Sequence, residues 1–222
     1  MRSGERVLSL LLILTLPVFL MLTNLYLFVS PGFLRYEYGK RDLPPALSFS
    51  PAERLSIAET AVHYLRSDAD VDLLGDLKGE EGPFFSEREL VHMVDVKRVM
   101  KGAFMAHRLC GSVTAVAIVA LCLRAETRKR VPFYIFLSCS ILLFILILMA
   151  AIIYLNFDLL FVGFHRVFFE GDSWRFALTD TLIQLFPPQF WVDVSLQWAF
   201  LTLAEALILG LAMLGLMVKI SH

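Results

Sequence analysis

Charge is scarce in this chain and nearly balanced, with 20 lysines and arginines against 21 aspartates and glutamates and a net charge of −1. A strongly basic surface, of the kind that nucleic acid requires, is therefore missing. Cysteine is also scarce. Cys110, Cys122 and Cys139 all fall in apolar stretches, where a free thiol packs as a small hydrophobe rather than as a disulfide partner or a metal ligand. Charged residues make up only 18% of the sequence and hydrophobic ones 58%, and the mean hydropathy is +0.69. Soluble domains usually carry more charge than this.

Charge is almost absent from four runs, Val7–Val29, Leu109–Leu123, Pro132–Leu155 and Val194–Val218. A helix needs roughly 20 apolar residues to cross the hydrocarbon core. Three runs meet that length, and the second does so when extended back through Ala103–Ala106, past His107 and Arg108. The expectation is an all-α polytopic membrane protein with four transmembrane helices, at residues 7–29, 103–123, 132–155 and 194–218, and a small helical extracytoplasmic cap. The first run follows Arg2 and Arg6 as a secretory signal would, but it continues to Val29 and has no A-x-A cleavage pattern. Signal peptides carry a shorter apolar region, about 7–15 residues. The run reads as a permanent anchor. It also has no cysteine near its end, so the chain does not read as a lipoprotein itself.

Orientation follows from lysine and arginine in short loops. The segment 124–131 holds Arg124, Arg128, Lys129 and Arg130, and Arg2, Arg6 and Lys219 flank the outer runs, so this loop and both termini are expected in the cytoplasm. Residues 30–102 and 156–193 then lie outside. Arg98, Lys101 and Arg108 oppose this assignment, but they follow a long segment, and long translocated regions largely escape the rule. His92 and His165, far apart in the chain, are thereby expected on one side of the membrane.

Residues 30–102 are too polar to span the bilayer and too long for a bare loop. Ser50-Pro51-Ala52-Glu53 has the form of a capping box with proline at the first helical position. Leu55, Ala58, Ala61, Val62 and Leu65 follow at helical spacing, so the segment 50–65 is expected to be an amphipathic cap helix. The acidic stretch Asp68–Gly82 reads as a solvated surface loop, because its carboxylates match no calcium-binding spacing. Ser86 and Glu89 open a second capping box on a helix that can run without a break into the second span. On it Glu89, His92 and Asp95 recur every third residue, so they lie broadly on one face. A carboxylate so placed can accept the histidine N–H and fix its tautomer; a polar stripe facing water is the plainer alternative.

The segment 156–193 is dense in aromatic rings, which suit a membrane–water boundary. His165, Arg166 and Asp180 are its polar exceptions, and Pro187-Pro188 break any helix before the last span. An interfacial aromatic belt accounts for most of the rings. A histidine among them titrates near neutral pH beside lipid headgroups, which suits acid–base chemistry at the membrane surface.

The segments FSERELVHMVDVK (Phe85–Lys97) and FHRVFFEGDSWRFALTDTLIQLFPPQFW (Phe164–Trp191) resemble the signatures of the bacterial lipoprotein intramolecular transacylase family. The similarity extends to the cap helix and to the order and length of the spans. The resemblance implies four transmembrane helices under an extracytoplasmic cap. It implies transfer of the sn-2 acyl chain of a diacylglyceryl lipoprotein to the amine of its own N-terminal cysteine, giving a lyso-form lipoprotein. His92 and His165 match the family's two catalytic histidines.

Those residue types suit that chemistry. A neutral imidazole near pKa ~6.5 and an N-terminal amine near ~7.7–8.0 differ by about 1.5 units, on the order of 2 kcal/mol. One histidine as base and one as acid each contribute about 10²–10⁴-fold, and holding amine and ester in one molecule adds an effective-molarity gain. Glu89 or Asp95 is expected to orient His92, Arg166 to stabilise the oxyanion, and Asp180 to support the site. Phe164, Phe168, Phe169, Trp174 and Trp191 are expected to wall the acyl and glyceryl groups. The expected partners are a diacylated lipoprotein and membrane lipid, with no metal and no cofactor.

Two other classes compete. One is a metal- or haem-binding membrane protein: Glu89 and His92 have the E-x-x-H spacing of di-iron helices, but no second copy of the motif exists. An accessory protein whose aromatic segment grips a partner's transmembrane helix would need the bulk of Trp174 and Trp191 but not the histidines. Glu205, within the fourth span, belongs to no motif; as an ionisable residue at bilayer depth it is expected to hydrogen-bond a neighbouring helix.

Overall fold

A computed structural model of the chain describes residues 3–40, 43–80 and 82–221. Arg2, used above for orientation, lies outside them. The elements are α1 (Ser3–Thr23), α2 (Leu25–Phe28), α3 (Pro31–Tyr38), α4 (Pro51–Arg66), α5 (Asp72–Gly75), β1 (Lys78–Gly79), β2 (Gly82–Pro83), α6 (Glu87–Cys122), α7 (Ala125–Arg128), α8 (Val131–Phe168), α9 (Thr181–Leu185) and α10 (Pro188–Ser221). Four helical stretches, Ser3–Phe28, Glu87–Cys122, Ala125–Phe168 and Pro188–Ile220, are long and apolar enough to cross a membrane.

The chain divides into two compact units. One comprises Met1–Leu25, Ala103–Ala151 and Gln197–His222; the other comprises Tyr26–Gly102 and Ile152–Leu196. The first unit is helix packed on helix. Leu12 and Leu16 of α1 meet Ala117 and Leu121 of α6 and Val131 and Tyr134 of α8, while Leu142 and Leu146 of α8 close on Ala206 of α10. Gly111 lets α1 and α6 approach closely, since a Cβ there would sit 2.8 Å from the Phe19 ring. Several polar side chains within this unit are paired. Thr15 and Thr114 are 2.7 Å apart, and Arg130 meets buried Glu5 at 2.7 Å. Glu205 makes the interhelical bond expected of it: Asn24 donates from Nδ2 to its Oε2 at 3.0 Å and to Thr202 Oγ1 at 3.1 Å.

The second unit contains the cap. Both bonds of the Ser50–Glu53 capping box are made, and α4 buries Ala58, Ala61 and Val62 as its spacing predicts, whereas Leu55 and Leu65 are only half-buried and Ile57 and Tyr64 are buried beside them. The acidic stretch after it is not a plain loop. Leu74 is fully buried on the short helix α5, and Lys78–Gly79 pairs with Gly82–Pro83 as an antiparallel hairpin. The sequence pattern hides this because both strands are only two residues long.

Two features position the histidines. Helix α6 starts at the second capping box and runs unbroken from Glu87 to Cys122, carrying His92 in its second turn. In α8 the backbone leaves helical geometry at Asn156, whose Oδ1 accepts the Leu159 N–H at 3.1 Å. Asn156 thus caps a fresh helical piece. That piece runs to Phe168 and carries His165 in its last turn, so the start of the aromatic segment is helical rather than irregular.

Candidate active site

His92 and His165 come together, with ring centroids 6.4 Å apart and planes inclined by 18°. Both belong to the second unit, outside the stretches 103–123 and 132–155 expected to span the bilayer.

His165 Nδ1 stands 2.7 Å from the carbonyl oxygen of Phe161, one helical turn back. A carbonyl only accepts, so Nδ1 carries the proton and Nε2 of the neutral ring is left with its lone pair. Burial lowers the proton affinity of this ring, and the bond to Phe161 partly opposes the shift. His165 is packed among Phe161 at 4.1 Å, Trp174 at 4.6 Å, Phe169 at 5.4 Å and Phe164 at 5.5 Å.

His92 is only 8% exposed and lies between Phe169 at 4.9 Å and Phe176 at 5.3 Å. Burial pushes its pKa down to about 4; the charge of His165 and that of Arg88 act the same way, and Asp95 opposes them. Its Nδ1 is buried without a hydrogen-bond partner among the described residues. At neutral pH both rings are uncharged.

Among the described residues no carboxylate is hydrogen-bonded to His92, contrary to the expectation for Glu89 and Asp95. Glu89 is buried and its oxygens are spent elsewhere. Oε2 accepts the Ser86 N–H at 2.9 Å and the Ser86 hydroxyl at 2.8 Å, and Oε1 accepts the Leu182 N–H at 2.8 Å. The capping box thus pulls the carboxylate back toward the start of α6, and α9 claims what remains. Asp95 pairs with exposed Arg98 at 2.7 Å and reaches His92 only through its field.

The other expected residues divide. Phe169 and Trp174 are buried against the histidines. Phe164 and Phe168 pack at a tilt on each other, with centroids 4.8 Å apart, and both are about half exposed; Phe164 meets His165. Trp191 belongs to a different cluster: its ring meets Phe186 and Phe190, and its indole N–H donates to the Phe186 carbonyl at 3.1 Å. Pro188 starts α10, so Trp191 turns with that helix rather than with the histidine segment. Asp180 closes a turn, its Oδ2 accepting the Ala177 N–H at 2.7 Å just before α9. Arg166 is exposed, one residue on from His165 and so about 100° around the helix from it.

Phe161, Phe176 and Arg88 complete the surroundings and were not singled out by the sequence. Phe161 was legible as the i−4 neighbour of His165 only if residues 157–168 were taken as helix; so many consecutive apolar positions obscure that period. Among the described residues, no three of histidine, cysteine, aspartate and glutamate converge as a metal-binding group.

Residues 8–191 match the family described as lipoprotein intramolecular transacylase Lit. The chain is similar to an uncharacterized protein of Aquifex aeolicus (strain VF5), at 29% identity over 215 residues, which is 95% of either chain. Its fold is similar to that of the membrane integral lipoprotein intramolecular transacylase Lit from Bacillus cereus, with TM-score 0.80 and 17% identity over 99% of this chain and 98% of the other. Two further structures of the Bacillus cereus protein, one with a histidine replaced by arginine and one by alanine, each give TM-score 0.70 at 18% identity. The first covers 97% of this chain and 93% of its own, the second 97% and 94%.

Proposed function

The chain belongs to the lipoprotein intramolecular transacylase family, a family of membrane-integral acyltransferases, and on that footing we propose a specific reaction for it. The sn-2 acyl chain of a diacylglyceryl lipoprotein moves to the amine of the same molecule's N-terminal cysteine. The single observation that carries this reading is the pairing of His92 with His165 inside an aromatic shell.

The chemistry is an exchange of one C–O bond for one C–N bond. The amine nitrogen attacks the ester carbonyl, whose oxygen takes up negative charge. His165 Nε2, unprotonated because Nδ1 is held by Phe161, takes a proton from the attacking nitrogen. The tetrahedral centre collapses, the bond to the glyceryl oxygen breaks, and that oxygen takes a proton from imidazole. One proton has passed from nitrogen to oxygen, and both rings end neutral. No serine or cysteine nucleophile is needed, since donor and acceptor are already joined.

His92 serves as the electrophilic partner. An imidazole whose pKa lies near 4 stays neutral and can donate a hydrogen bond to the ester oxygen without carrying charge into the buried site. The bulk of its role is polarisation through its ring N–H. The lowered proton affinities make the pair weaker bases than free imidazole. That matters little for the free amine, of which about one in ten is neutral at pH 7 by its own pKa. A base is required once attack has acidified the N–H, and the weaker base returns the proton to the glyceryl oxygen more readily. Phe164 and Phe168 offer half-exposed apolar surface to the acyl chain.

The same reading sets the orientation given by the basic loop after α6, with the histidine pair on the extracytoplasmic side and both termini in the cytoplasm. The membrane-spanning parts are 7–29, 103–123, 132–155 and 194–218, the cap is 30–102 and the aromatic segment 156–193. Expression beside a diacylated reporter lipoprotein tests the function. The expected N-terminal peptide carries an N-acyl, monoacylglyceryl cysteine by mass spectrometry. A diacylglyceryl cysteine that stays unchanged, with the protein present in the membrane, contradicts it.

A further inference from the structure

A column of six side chains runs through the histidine pair. Arg88 Cζ lies 4.8 Å from the centroid of Phe176, Phe176 rests on His92 at 5.3 Å, and His92 faces His165 at 6.4 Å. His165 meets Trp174 at 4.6 Å, and Arg175 Cζ covers Trp174 at 5.2 Å. The two end members are exposed, whereas His92 and Trp174 are buried. Trp174, Arg175 and Phe176 are consecutive residues. Residues 175–177 have no regular structure. One tripeptide therefore lays a ring on each imidazole.

The two arginines differ in how they are held. Arg175 has a second partner, Asp172, at 3.2 Å. The Arg88 side chain takes part in no hydrogen bond or ion pair among the described residues, and its guanidinium lies over the face of Phe176. Arg88 stands four residues before His92 on α6, and that spacing puts both on the same side of the helix. The ring it covers is therefore the one that bears on His92.

We propose that Arg88 is a positioning residue for the acyl transfer, clamping Phe176 onto His92 so that the imidazole keeps its near-parallel alignment with His165. The proposal rests on the two-histidine reading above. The charged groups around His92 do not supply this function otherwise. On its own helix Glu89 is committed to Ser86 and Leu182 and Asp95 to Arg98, and in the covering segment Arg175 pairs with Asp172.

The test is a double-mutant cycle on the full-length protein in lipid nanodiscs, with a diacylated lipopeptide as substrate. Arg88→Gln should lower kcat about fivefold, the size of one exposed cation–π contact, and leave KM within about twofold. In a Phe176→Leu background the same change should cost nothing further, because the contact it removes is already gone. An unchanged kcat for Arg88→Gln, or an equal fivefold loss in both backgrounds, overturns the proposal. His92→Ala and His165→Ala measured alongside separate the two levels. If those variants stay active the two-histidine reading fails, whereas if they are inactive while Arg88→Gln is normal, only the role of Arg88 fails.

Discussion

His165→Ala should form no detectable lyso-form product, and His92→Ala should fall nearly as far. The loss at His165 is a loss of chemistry, because its Nδ1–H is pinned to the Phe161 carbonyl and its Nε2 is the nitrogen that the fixed tautomer leaves basic. General acid–base catalysis contributes about 10²–10⁴-fold per group, so about a thousandfold drop is expected for each single variant. Asparagine at 165 is the informative control. Its side-chain amide can still bond a backbone carbonyl, yet it has no basic nitrogen, so folding should persist while activity does not. At 92 the relevant feature is an imidazole held between the rings of Phe169 and Phe176. Glutamine there keeps a donor but loses the ring that Phe169 and Phe176 hold, and it should restore at most a small part of the rate. Rates at or near the unmodified level in both alanine variants, with normal amounts of protein in the membrane, would remove the histidines from the reaction.

The second large effect is on stability. Glu89→Ala removes a buried carboxylate that accepts from the Ser86 amide, the Ser86 hydroxyl and the Leu182 amide. Each buried donor left without an acceptor costs about 1–3 kcal/mol. Ser86 is exposed, so water can meet its two donors, and the combined loss is expected at about 2–4 kcal/mol, most of it at the buried Leu182 amide. Glu89→Gln does not restore it, because a side-chain amide turns one of the acceptor oxygens into a donor facing an N–H. Asp95→Asn is the contrast. Its pair with Arg98 is solvent-exposed on the arginine side, and such pairs are worth about 0–1 kcal/mol. Thermal unfolding in detergent should therefore separate two acidic residues that sit on the same helix two turns apart. Equal and small shifts for both would mean that Glu89 is not the junction described.

Glu89 also marks the limit of what the sequence discloses. Its three-residue spacing to His92 invites a catalytic pairing, and its three-residue spacing to Ser86 invites a cap. Both cannot be satisfied by one short side chain, and the cap prevails because a helix N-terminus offers unpaired amides that must be met. The apolar runs were legible for a simpler reason: about 20 residues without charge have few places to go other than a bilayer. The uninterrupted passage of α6 from polar cap to apolar stretch was legible as well, since neither glycine nor proline breaks it before Gly102 and the capping box at Ser86 fixes its start.

The aromatic segment was harder to read. Phenylalanine at Phe157, Phe161, Phe164 and Phe168 has helical spacing, but apolar neighbours fill the positions between and blur the period. Trp191 looks like Trp174 in composition and ends up in another cluster, because the proline pair hands it to α10. The Arg88–Phe176 contact joins residues far apart in sequence, and no local pattern announces it.

The most direct measurement is a crossover experiment with purified protein and two lipopeptides. One carries a deuterated sn-2 acyl chain on an unlabelled peptide, and the other an ordinary chain on a peptide of different mass. The predicted result is that every deuterated N-acyl group remains on the peptide that began with it, with the sn-1 chain still esterified. Deuterated acyl groups appearing on the second peptide, or an amine acylated from the sn-1 position, would contradict an acyl shift within one molecule at the His92–His165 pair.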